Sequence, residues 1–167
     1  MGRLIIYIDM DGVLADFDMA AALHPNKNVK GFRPDLELDF TTFNPIPGAI
    51  EAVKELIDMG HDVYFATTAP WDKPESWAQK RIWIGKHFPE MRKRLIITAH
   101  KNLLKGDVLI DDHLWNGAKD FEGLHIHFGQ IKRKLTEIIH GTVIEEKWST
   151  YNWKDWENVI KYIKDKL

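Results

Sequence analysis

The chain alternates short, uninterrupted apolar runs with segments in which apolar positions recur at helical spacing. Leu4-Ile5-Ile6-Tyr7-Ile8 is apolar throughout and rich in β-branched residues, the signature of a strand covered on both faces of a parallel sheet. Comparable runs stand at Val63 to Ala66, Leu95 to Ile97 and Val108 to Ile110, and a fifth is predicted from Leu124 to Phe128. Each of the first four ends at a polar residue. Between them the spacing predicts a helix from Pro47 to Met59 with Ile50, Val53 and Ile57 on its apolar face, Pro47 in its first turn and Gly60 just past its end. Further helices are expected over Glu75 to His87 and Trp153 to Lys164, the latter with Asn152 as N-cap and with Trp148, Trp153 and Trp156 packing against the sheet.

Buried strands alternating with amphipathic helices imply right-handed crossovers and an open α/β fold, whose ligands bind at the carboxyl ends of the strands. The stretch from Asp16 to Asn44 breaks the rhythm with Pro25, Gly31 and Pro34 among scattered aromatics. It reads as an insertion that leaves the sheet just after the first strand, placed to cover whatever binds there. The expectation is therefore a single domain over 1–167 carrying a small helical cap at about 16–44.

The strand ends hold the chemistry. Asp9 and Asp11 follow the first run, with Gly12 allowing a tight turn, and Asp111-Asp112 follow Val108-Leu109-Ile110. On neighbouring parallel strands these acids converge. Carboxylates a few ångströms apart repel unless a cation compensates, and hard oxygen donors of this kind suit Mg²⁺. Thr67 and Thr68 close another strand and Lys101 supplies positive charge, so these three are read as phosphate-binding groups. Together the parts describe phosphoryl transfer, with Asp9 attacking phosphorus and Asp11 exchanging protons as acid and then base. Lys105 is a competitor for the role of Lys101, but it falls inside the turn leading to Asp111. Phe17 and Trp71, next to these motifs, are candidates to stack a substrate base.

Composition narrows the setting. The 167 residues are 44% hydrophobic and 29% charged, an ordinary globular balance, and a net charge of −2 gives no overall reason to bind nucleic acid or an anionic membrane. There is no cysteine, and no apolar stretch suits a leader or a membrane span, so a cytoplasmic location is expected. The segment from Lys80 to Lys105 is strongly basic and reads as a solvated helix face. His125 and His127 share one face of the fifth strand and receive no function.

The ordered set Asp9-Met10-Asp11-Gly12-Val13-Leu14-Ala15-Asp16-Phe17, then Thr67, Lys101 and Leu109-Ile110-Asp111-Asp112, resembles the four motifs of the haloacid dehalogenase (HAD) superfamily. More narrowly it resembles the 5′(3′)-deoxyribonucleotidase branch, a similarity that extends through Pro45 to Ala49 and from Val63 to Asp112. The resemblance implies a HAD-like Rossmannoid three-layer fold with a mainly parallel central sheet. It implies Asp9 as nucleophile and Asp11 as acid and base, and Mg²⁺ held by the Asp9 side chain, the Asp11 main-chain carbonyl and the Asp111 side chain, with Asp112 as a further or outer ligand. The substrate class it implies is a deoxyribonucleoside monophosphate whose base meets cap aromatics, Phe17 occupying a matching position, and it leaves room for a homodimer. Thr67-Thr68-Ala69-Pro70 has one residue more before its proline than the branch's usual motif. Three other readings use related groups: a polynucleotide 3′-phosphatase, a general small-molecule phosphatase, and a receiver-like phospho-acceptor switch, whose adjacent acidic pair would come first in the chain rather than last.

Overall fold

The computed structural model describes residues 2–129 and 156–167. Five strands form one parallel sheet: β1 (Ile5–Ile8), β2 (Asp62–Thr67), β3 (Leu95–Ile97), β4 (Val108–Asp111) and β5 (Leu124–His127), in the order β3-β2-β1-β4-β5. The apolar runs are strands because both of their faces are covered. Ile6 and Ile8 point into a core shared with α3 (Ala49–Asp58), α4 (Glu75–His87) and α5 (Trp156–Lys166), while Tyr7 and Leu109 point to the other face and pack with Ala118 and Phe121. This is the α/β architecture that the resemblance implies.

The register puts the carboxyl ends of β1 and β4 side by side, with Ile8 opposite Ile110. The Asp9 amide then donates to the Ile110 carbonyl at 2.9 Å, extending the pairing one residue past β1. Acids following two central strands are thus delivered to one edge.

Two helices differ in detail from the sequence expectation. α3 begins at Ala49, so Pro47 precedes its N-cap, Gly48, instead of sitting in the first turn. Its buried face is Ala49, Ala52, Val53 and Leu56, and Ile50 is left exposed. Small residues let the helix lie close to the sheet, which turns the larger isoleucine outward. In α5, Trp156 is buried and its indole Nε1 donates to the Val13 carbonyl at 2.9 Å, tying the helix to the turn after β1. Asn152, Trp148 and Trp153 fall outside the described residues.

Residues 16–44 hold two short helices, α1 (Phe17–Leu23), capped by Asp16 Oδ1 accepting from the Met19 amide, and α2 (Pro34–Glu37). The segment leaves and returns at one place, since the Asp16 amide donates to the Asn44 carbonyl at 2.8 Å and Ala15 bridges to Pro45. Its return limb is fastened to α4 and the loop before it: Lys73 Nζ donates to the Leu38 carbonyl, the Phe40 amide to Gln79 Oε1, and Trp83 Nε1 to the Phe43 carbonyl.

Candidate active site

The tight turn after β1 sets the first two acids. Gly12 has φ +77°, and a Cβ there would lie 2.1 Å from Asp112 Oδ2, so glycine is demanded both by backbone geometry and by the close approach of the second acidic pair. Ligand oxygens of Asp9, Asp111 and Asp112 all lie within 4.8 Å of one another. Asp11 lies outside that trio of side chains. Its Oδ2 is taken by Lys80 instead.

Two ammonium groups are buried among these acids. Lys101 stands in the short turn Lys101–Leu103, with Nζ 2.9 Å from Asp9 Oδ1 and hydrogen-bonded to Asp111 Oδ2. Burial alone would lower its pKa, but the paired charges of Asp9 and Asp111 outweigh burial and raise it, so the ammonium stays protonated. Lys105 is exposed, which removes it from the competition. Lys80, from the middle of α4, is fully buried, with Nζ on Asp11 Oδ2, 3.1 Å from Thr67 Oγ1 and 4.5 Å from the centre of the Phe40 ring.

Lys80 was not anticipated, and the reading of the basic segment as a solvated face fails for it and for Lys101. The signal was present as spacing. Ser76, Lys80, Trp83 and Ile84 form the buried face of α4, so a lysine occupies a position that apolar neighbours three and four residues onward mark as interior.

Burial pushes the carboxyls of Asp111 and Asp112 up, and repulsion from Asp9 adds to it, to about 7 and about 9. Burial likewise raises Asp11, against the opposing pull of Lys80. Oδ1 of Asp11 and Oδ1 of Asp112 are buried without a hydrogen-bond partner among the described residues. Clustered hard oxygens, raised pKa values and an unsatisfied carboxylate oxygen on Asp112 are the properties of a divalent-cation site, and the donor set fits one.

The acids open into a cavity of about 410 Å³, whose wall includes Phe17, Phe40, Thr68, Lys101, His113 and Trp115. Thr67 lies behind it, buried against Lys80, while Thr68 faces it and donates its hydroxyl to the Thr98 carbonyl at 2.8 Å. Trp71 is 86% exposed and does not line the cavity. Trp115, which the sequence reading passed over, does. His125 and His127 are buried at the end of β5, with His125 Nε2 3.3 Å from the Asp111 carbonyl and its pKa lowered to about 4 by burial.

The model of the family described as 5′ nucleotidase, deoxy (Pyrimidine), cytosolic type C protein matches residues 25–166. The chain belongs to this family. A putative 5′(3′)-deoxyribonucleotidase of Vibrio phage KVP40 is 36% identical over 95% of this chain and 84% of its own length. One from Bordetella bronchiseptica is 31% identical over 94% and 95%, and the 5′(3′)-deoxyribonucleotidase of Bacillus subtilis is 31% identical over 87% and 98%. Family membership makes the chain a HAD-superfamily enzyme of the nucleotidase type, a phosphoric monoester hydrolase, and sets aside the receiver-like switch. No helix among the described residues is long and apolar enough to cross a membrane.

Proposed function

We propose that this protein is a cytoplasmic, Mg²⁺-dependent phosphatase that hydrolyses nucleoside monophosphates, preferentially deoxyribonucleotides, through an aspartyl-phosphate on Asp9. The observation that carries the reading is the meeting of Asp9, Asp111 and Asp112 within 4.8 Å at an edge that also holds two buried ammoniums, Lys80 on Asp11 and Lys101 on Asp9. The relatives' names supply the substrate class.

Asp9, Asp111 and the main-chain carbonyl of Asp11 would hold the ion, with Asp112 behind them or as a further ligand. When bound, Mg²⁺ offsets the repulsion between the carboxylates and the phosphate and polarises the phosphoryl group. In the first step a carboxylate oxygen of Asp9 attacks phosphorus in line, the bond from phosphorus to the sugar oxygen breaks, and the carboxyl proton of Asp11 passes to that oxygen. In the second, water attacks phosphorus, Asp11 takes back a proton, and the bond to Asp9 breaks to free inorganic phosphate. Lys101 balances the charge of the transferred group, across the cavity wall that Thr68 joins just past β2. Lys80 holds Asp11 in place and opposes the rise in its pKa, so that one carboxyl can serve as both acid and base. Residues 16–44 act as the cap over the cavity, to which they contribute Phe17, Asp18, Asp35 and Phe40.

The basic residues left on the surface do not favour a polynucleotide substrate. Arg81, Arg92 and Lys93 line a separate groove with Phe88 and Leu95, without any of the acids. The test is phosphate release from a panel of ribo- and deoxyribonucleoside monophosphates and sugar phosphates with and without Mg²⁺, using Asp9→Asn as the blank. Release from deoxyribonucleoside monophosphates only with the metal supports the reading, and activity confined to sugar phosphates refutes the substrate assignment.

A further inference from the structure

The cavity receives aromatic side chains from two parts of the chain, and they are not equally available. Phe40 is buried with its ring over the Lys80 ammonium, and Phe17 packs on Phe40 and edge-on against Phe43 with centroids 5.8 Å apart. These rings hold the return limb of the insertion onto the core. Trp115 is different. It keeps 63% of its surface exposed while lining the same cavity as Asp9, and His113 stacks on it with ring centroids 3.9 Å apart and planes 20° apart.

The loop that carries this pair is held firmly. His113 Nε2 lies 3.4 Å from Asp112 Oδ2, and the Asn116 carbonyl accepts from the Lys101 amide at 2.9 Å. Gly117 closes the loop in the left-handed region, where a Cβ would lie 2.9 Å from the Lys101 nitrogen and 2.7 Å from that of Asn102. The stacked pair and the cationic turn therefore form one braced unit. An indole held with a broad apolar surface at the rim of a polar cavity is well suited to stack a flat heteroaromatic ring.

We propose that Trp115, backed by His113, is the platform on which the nucleobase of the substrate stacks. This rests on the nucleotidase reading above and adds a prediction to it. Because every base has a π face, the platform strengthens binding of all nucleoside monophosphates and contributes little to choosing among them.

The experiment measures kcat and KM of the full-length protein with Mg²⁺ for pyrimidine and purine deoxyribonucleoside monophosphates and for deoxyribose 5-phosphate, which lacks the base. Wild type is measured first, then Trp115→Ala, Trp115→Leu and Trp115→Phe. The expected result is a loss of about 5- to 100-fold in kcat/KM for every nucleotide in the Ala and Leu variants, carried by KM. Deoxyribose 5-phosphate should lose far less, and Phe should recover most of the nucleotide activity. The Leu variant keeps the bulk of the side chain without its π face, so the comparison holds even if Ala perturbs the fold. The platform is overturned if nucleotides and the base-free ester fall by the same factor, if neither falls, or if Leu performs as well as Phe. A wild type that hydrolyses deoxyribose 5-phosphate as efficiently as any nucleotide, or that hydrolyses no nucleotide, overturns the nucleotidase reading and the platform with it. That failure is seen before any variant is made.

Discussion

Lys101 and Lys80 are both buried at the carboxyl edge of the sheet, yet their surroundings are opposite. Lys101 sits between two carboxylates, Asp9 and Asp111, in a short turn after β3. Lys80 meets one carboxylate, Asp11, and otherwise a neutral hydroxyl and the face of a phenylalanine, in the middle of a helix. The first neutralises the floor on which phosphate and metal would bind. The second holds a single side chain. Burying a lone charge costs several kcal/mol, so each ammonium is tolerated only because of the acid it faces, and each acid's behaviour depends on its lysine.

Replacing the proposed nucleophile should erase the difference altogether. Asp9→Asn is expected to reduce phosphate release below detection, a loss of at least about 10⁴-fold in kcat, with the circular dichroism spectrum retained. Removing one lysine at a time then separates the two roles. Lys101→Met should cost about 10³-fold in kcat/KM, through both parameters, because a donor to the transferring phosphoryl group is lost. Lys80→Met should cost about 10²-fold, in kcat with KM little changed, because the acid and base loses its partner while the phosphate site remains. Equal losses with the same division between kcat and KM would show that the two lysines do one job.

The floor's surplus of acid also predicts how the metal-free protein responds to pH. The carboxyls of Asp111 and Asp112 are raised from 3.8 to about 7 and about 9, so the folded chain binds these protons more tightly than the unfolded one. The stabilisation that follows is complete below 3.8 and is lost as pH rises through the raised values. Between about pH 5 and pH 9 the Tm without divalent metal should fall, by at least roughly 5 °C, and Mg²⁺ added at the upper end should restore it. Differential scanning fluorimetry with EDTA and with Mg²⁺ measures both. The smallest effect is expected at Trp71, which touches neither lysine's surroundings: Trp71→Ala should change stability by less than about 0.5 kcal/mol and leave nucleotide KM within about twofold.

The contrast between the lysines also explains what could be read from the sequence. Strands of β-branched residues that end in acids state their burial and their direction, so β1, β4 and the meeting of Asp9 with Asp111 were legible. Lys101 was found because it lies between two strands at a point where positive charge was needed. Lys80 was hidden because lysines are rarely interior, and its pairing with Asp11 spans 69 residues of chain. In α3, helical spacing pointed to Ile50, but close packing against the sheet selected Ala49 and Ala52. Trp71 was chosen for its nearness to Thr67 along the chain, yet neighbours in sequence can point different ways, and the loop after Asp112 brings Trp115 to the cavity instead.

The segment from 16 to 44 leaves and rejoins the sheet through a single doorway, where Asp16 meets Asn44 and Ala15 meets Pro45. Its return limb is stitched to α4 and the loop before it, through Leu38, Phe40 and Phe43, while Phe17, Ala20 and Ala21 of the outbound limb pack against the core. The exposed tip between the two limbs, 25–31, can therefore be rewritten or lengthened without shifting the register of any strand. The carboxylates at the strand ends keep their places whatever that tip carries.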